Sequence, residues 1–203
     1  MTLSYFRTTL LAALFILAGP LAICAQTNGD DDSSDYSDPD GGERNETLGA
    51  SSAAPASTTS VVSSIDAARN YCKLIASAYA IDCVAERLGE LAKELEGQDG
   101  FEDVQAVLEA TSLKLNGIAR QNRSSEKDPA RFSSNEKPPV KTTRRLIPVD
   151  DAKLESAASQ AIMVIAEAET LLLRSAEEST ERSIQYQRIA SALGSNKVLL
   201  RSI

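Results

Sequence analysis

The chain contains no histidine and no tryptophan, and only three cysteines among its 203 residues. Each scarcity excludes chemistry. Without His there is no Ser-His-Asp or Cys-His nucleophile system, no ordinary zinc site, and no Glu-x-x-His di-iron motif. No Gly-rich phosphate loop occurs, and no C-x-x-C redox pair. Aromatic residues make up 4% of the chain, so a core must be built from aliphatic side chains and alanine.

What is present begins with an apolar leader. Arg7 precedes a nearly continuous apolar run from Thr9 to Ile23, broken at Gly19-Pro20 and ending in Ile23-Cys24-Ala25. That order is the outline of a cleaved signal peptide over residues 1–25, with Gln26 as the mature N-terminus. The run is short for a retained membrane anchor, which needs ~20 apolar residues. Leu21-Ala22-Ile23-Cys24 resembles a lipobox, but branched Ile23 stands where a small residue is wanted before Cys24.

The net charge of −8 is concentrated in one place. Residues 26–64 hold eight acids (Asp30, Asp31, Asp32, Asp35, Asp38, Asp40, Glu43, Glu46) against Arg44. The acidity therefore belongs to a tail of Asp, Ser, Gly, Ala and Thr, with too little apolar surface to offset the entropy of ordering. It reads as a disordered, solubilising spacer. The acids lack the Gly and Glu placement of a calcium loop, and no metal or cofactor is expected.

A first helix is predicted over Ile65–Leu95, with Ser63 or Ser64 as N-cap. Ile65, Ala68, Cys72, Ile75, Tyr79 and Cys83 share one face, and Ile81, Val84, Leu88, Leu91 and Leu95 share another. Two neighbours along one helix, or a break near residues 80–83, both explain this. With no Gly or Pro in the span, two neighbours is the expectation. Gly97 to Gly100 forms a turn, with Asp99 capping a second helix over 100–120 that carries Phe101, Val104, Leu108, Thr111, Leu115 and Ile118 at steps of three and four. The short connection predicts an antiparallel hairpin.

Residues 122–149 read as a basic, Pro-containing linker, a solvated crossover. It has seven bases (Arg123, Lys127, Arg131, Lys137, Lys141, Arg144, Arg145) against Glu126, Asp128 and Glu136. It has no regular aromatic interleaving, so nucleic acid is not the expected partner. A third helix is predicted over Asp150–Leu193 on the stripe Leu154, Ala158, Ala161, Ile165, Ala168, Leu172. Ser175, Ser179 and Arg182 interrupt that stripe before Tyr186, Ile189 and Leu193 resume it. At 1.5 Å per residue this helix would be roughly 65 Å long against about 33 Å for the second, so its far half must project, fold back, or meet another chain.

Carboxylate pairs Glu167 with Glu169 and Glu177 with Glu178 diverge around a helix rather than converging on a substrate. Asn45-Glu46-Thr47 and Asn122-Arg123-Ser124 are glycosylation sequons. Cys72 and Cys83 would lie about 16 Å apart on a continuous helix, too far for a bridge. A broken-helix disulfide, buried thiols and an intermolecular bond all remain open for the pair.

Together these features describe an all-α chain: an antiparallel three-helix bundle of coiled-coil character behind an acidic tail. The expected function is an exported, periplasmic or secreted, non-enzymatic interaction or structural module, self-associating through its C-terminal helix or binding a protein partner. The alternative is an envelope-associated protein held by its N-terminal segment or a lipidated Cys24, the one case with a membrane contact. An enzyme with a carboxylate-based site is the weaker alternative.

Overall fold

A computed structural model describes residues 56–135, 137, 139–175 and 180–203. The predicted signal peptide, Cys24, the acidic block and Asn45 lie outside the described residues. Within them the fold is all-α, but two of the three expected helices are each divided.

The helix α1 spans Thr58–Lys73 and starts well before Ile65. Ser57, not Ser63 or Ser64, is its N-cap. The Ser57 hydroxyl accepts from the Ser60 amide at 3.1 Å, and the Ser60 hydroxyl accepts from the Ser57 amide at 2.9 Å. This reciprocal cap satisfies two otherwise orphaned donors. Val61, placed by composition in the disordered tail, is fully buried. One apolar residue in a Ser/Thr-rich run is what the composition argument overlooked.

The chain then breaks at Leu74–Ala76 and restarts as α2, Ser77–Glu94. The expected continuous helix over residues 65–95 is corrected here, and the break precedes the predicted 80–83. Neither Gly nor Pro causes it. The two apolar faces point a third of a turn apart, and only a change of axis brings both into one core. Leu74 is left 76% exposed at the corner, while Cys72 and Cys83 meet in a disulfide with Cα atoms 5.7 Å apart.

Gly97 and Gly100, at φ 74° and 81°, make the turn into α3, Glu102–Gln121. These left-handed conformations favour glycine. The predicted Asp99 cap is not used: Phe101 occupies the N-cap position without a side-chain bond, and Glu102 accepts from the Gly100 amide at 3.2 Å. Helices α2 and α3 are antiparallel neighbours. The Ser112 hydroxyl donates to Ala85 O at 2.6 Å, and a Cβ on Gly89 would lie 2.7 Å from Ser112 Oγ. Glycine there lets the two backbones approach closely.

A 3-10 turn, Asp151–Lys153, is capped by Asp150, which accepts from the Ala152 amide at 3.0 Å. It leads into α4, Leu154–Ser175, whose buried face is Ala157, Ala158, Ala161, Ile165, Ala168 and Leu172. By length and composition, Asp151–Ser175 is apolar enough to cross a membrane, but that buried face is occupied by neighbouring helices.

The single helix expected over residues 150–193 does not form. A separate α5, Thr180–Gly194, turns back, and α6, Asn196–Arg201, follows it. Gly194 sits against Glu169, where a Cβ would collide with the carboxylate. On one straight helix these residues would be about 37 Å apart. The polar positions Ser175 and Arg182 explain the division, since they would otherwise occupy the core stripe. Ser179, Glu177 and Glu178 lie outside the described residues. Folding back buries Tyr186, Ile189 and Leu193 inside the chain. Helix α1 packs on α2, α2 on α3, α3 on α4, α4 on α5, and α5 returns to α1.

Replacing Ile189 with Asp tests this closure. A charge at a fully buried position has no compensating partner and is strongly destabilising. I189D should unfold as a monomer. Size-exclusion chromatography and a thermal melt read together check it: a folded variant with unchanged melting temperature would place Ile189 at the surface.

Candidate functional site

The described residues of the expected solvated linker, 122–135, 137 and 139–149, form an ordered ribbon. Its two arms pair through Arg123 with Val149, Ala130 with Leu146, and Ser133 with Lys141. Leu146 and Val149 are fully buried, and the Val149 amide donates to Ala78 O on α2 at 2.7 Å. The Tyr79 hydroxyl donates to Asp128 O at 2.7 Å, and its ring meets Phe132 edge-on at 5.1 Å. Composition gave no warning, because the few apolar side chains that anchor the ribbon do not recur with any period.

Its strongest attachment is polar. Asp82 on α2 is completely buried. Its carboxylate accepts from both terminal nitrogens of Arg144 at 2.5 and 2.8 Å, from the Ile147 amide at 2.7 Å, and from Asn116 Nδ2 of α3 at 2.7 Å. A buried charge is tolerable only when paired and fully hydrogen-bonded, and both conditions are met here. One turn along, Glu86 accepts from the Thr143 amide at 2.6 Å, from the Thr143 hydroxyl at 2.9 Å, and from Arg87. Arg87 also donates to Lys141 O at 3.0 Å and lies over the Tyr71 ring, 5.5 Å from its centre.

Protonation equilibria follow from these contacts. Burial pushes the Glu86 carboxyl up, but the hydrogen bond and charge of Arg87 and the two Thr143 donors hold it below the ordinary glutamate value. The Arg144 guanidinium is pushed above its usual value, chiefly by its bond to Asp82. Burial raises the Tyr71 phenol.

Above this cluster, α2 and α3 frame a groove of about 480 Å³. Glu90, Glu109, Asn116, Thr143 and Arg144 are among its lining residues, with exposed Leu113 at the edge. The buried carboxylate in its lining, Glu86, is already engaged by Thr143 and Arg87. Sequence reasoning missed Asp82 and Glu86. The signal was there: a single carboxylate inside Ala80-Ile81-Asp82-Cys83-Val84-Ala85 must be buried with a partner.

The residues singled out from sequence are dispersed. Glu167 pairs with Lys114 on α3 at 2.7 Å, and Glu169 pairs with Lys197 on α6. They do not converge. The second sequon is engaged internally: Asn122 Nδ2 donates to Ile118 O at 2.9 Å, and buried Ser124 accepts from the Glu126 and Lys127 amides, both at 3.2 Å. Cys72 and Cys83 are both fully buried. No group of His, Cys, Asp or Glu suited to a metal ion occurs among the described residues.

The architecture is an all-α domain clasping a non-helical ribbon through a buried carboxylate. Comparison with protein families, curated proteins and solved structures finds no match for the chain.

Removing the Asp82 carboxylate leaves Arg144 and the Ile147 amide without their acceptor. D82A should cost ~1–3 kcal/mol, the range for leaving buried donors such as the Ile147 amide without an acceptor, since the Arg144 side chain is 38% exposed and can turn to water. Amide hydrogen exchange should quicken first at Ala130 and Leu146, on the ribbon. Uniform loss of protection along α2, α3 and the ribbon together would show that the ribbon is no separate unit.

Glu86 makes stability depend on pH. A carboxylate held below its unfolded value contributes stability that is complete above that unfolded value, about 4.3, and is lost as pH falls through the lower folded value. The melting temperature of the wild type should therefore drop below about pH 4.3 more steeply than that of E86Q. Parallel curves for the two proteins would remove Glu86 from the acid transition.

Proposed function

We propose that this protein is an exported, non-enzymatic helical interaction module. The observation that carries the reading is the buried Cys72–Cys83 disulfide. Structural disulfides persist in oxidising compartments and are rare in the cytosol. The apolar leader of residues 1–25 agrees with it.

The non-enzymatic part rests on chemistry. There is no histidine, and Asp82 and Glu86 spend their lone pairs on Arg144, Thr143, Asn116 and Arg87. Such carboxylates hold a fold. The interaction part rests on the ribbon, a loop held rigid from beneath, as loops that carry binding residues are. Self-association through Tyr186, Ile189 and Leu193 would require the fold to open, because those side chains are buried within the chain. A partner is therefore expected on the ribbon or the α2–α3 groove.

Thiol trapping in the producing cells tests the compartment. Native protein alkylated before and after reduction should show no free thiol at first and two afterwards, on a chain whose intact mass begins at Gln26. Three thiols reactive before reduction, on a chain that starts at Met1 and so keeps Cys24, would overturn the reading.

A further inference from the structure

The ribbon's outer face carries a second, separate arrangement. The Ala130 amide donates to Leu146 O at 3.1 Å, and the Leu146 amide donates to Ala130 O at 2.7 Å, so these residues stand opposite one another. The next cross-arm bond runs from the Thr142 amide to Phe132 O at 3.0 Å. Between the two rungs, one residue, Arg131, faces Thr143, Arg144 and Arg145. The arm is therefore bulged, and a bulge re-aims side chains. Thr143 and Arg144 turn in to Glu86 and Asp82. Arg145 turns out.

Arg131 and Arg145 are both exposed and line one cleft with Pro129 and Ala130. Among the described residues neither forms an ion pair, although Arg87, Lys114, Lys127, Arg144 and Lys197 all do. Like charges facing across paired arms are destabilising by themselves. They are held together because Arg144 is locked to buried Asp82 on one side and Leu146 is buried on the other. Both guanidiniums are left open to solvent in one cleft.

We infer that Arg131 and Arg145 form an oxyanion clamp for a phosphate- or sulfate-type group. One planar guanidinium fork fills both oxygens of a carboxylate. Two forks from separate arms can engage different edges of a tetrahedral anion, and their combined charge matches a phosphate dianion. Exposed Lys137 and Lys141 on the same ribbon add to the positive field that draws anions in. The clamp gives a ligand class to the interaction module and rests on that reading.

The test is an NMR titration of the oxidised full chain with inorganic phosphate, then phenyl phosphate, at ionic strength held constant with chloride. Saturable shifts are expected at the amides of Ala130, Arg131, Arg145 and Leu146. Affinity should weaken at least tenfold in R131Q/R145Q and stay within twofold in K114Q, a lysine off the ribbon that pairs with Glu167, with melting temperatures confirming that both variants fold. Shifts that chloride reproduces, or binding that survives the double substitution, would overturn the clamp. Sulfate and phosphate binding alike supports a general oxyanion site; acetate binding as tightly removes the preference for a tetrahedral group. Release of phenol from phenyl phosphate would instead overturn the non-enzymatic reading and leave the clamp standing.

Discussion

The buried carboxylate of Asp82 is the constraint on which the rest of this structure depends. It gathers α2, α3 and the ribbon at one point, through Asn116, Arg144 and the Ile147 amide. Apolar packing alone would not select one placement for a segment with so few apolar side chains. Hydrogen bonds are directional, and an uncompensated buried charge is costly, so only one register of the ribbon satisfies the carboxylate. Glu86 repeats the device one turn away, taking Thr143. Together the two acids decide which ribbon side chains face in, and hence that Arg145 faces out.

Much of the helical content was legible because apolar spacing is a local signal. The stripe from Leu154 to Leu172 lies where its period puts it, and so do Val104, Leu108 and Leu115 on α3. The failures have a common physical origin. The corner at Leu74–Ala76 and the reversal after Ser175 are made by tertiary packing, with no Gly or Pro to announce them. In both places the sequence showed a disturbed stripe: a change of face between Cys72 and Val84, and polar residues at Ser175 and Arg182. A disturbed stripe marks a change of axis more reliably than a change of neighbour.

The polar cluster was less legible than the helices. Spacing rules find carboxylates that are close in sequence, such as Glu167 and Glu169, and these turned out to serve separate surface pairs. Asp82 meets its partners 34, 62 and 65 residues away. Only its improbable surroundings on α2 mark it. The cysteine spacing, likewise, pointed to a bridge only if the helix broke, and it is the break that the structure supplies.

Those separations also govern the order in which the fold can be assembled. Cys72 and Cys83 are eleven residues apart, and the α2–α3 hairpin closes through a short turn. Both can form early, at small cost in loop entropy. The ribbon is different. Its ends are fixed only after α3 and α4 are in place, and Asp82 must shed its water before Arg144 replaces it. The ribbon's bonds to Asp82 span up to 65 residues, and contacts of long sequence separation are slow to form. Until they form, the carboxylate of Asp82 is best left in water, since burying it unpaired would be costly.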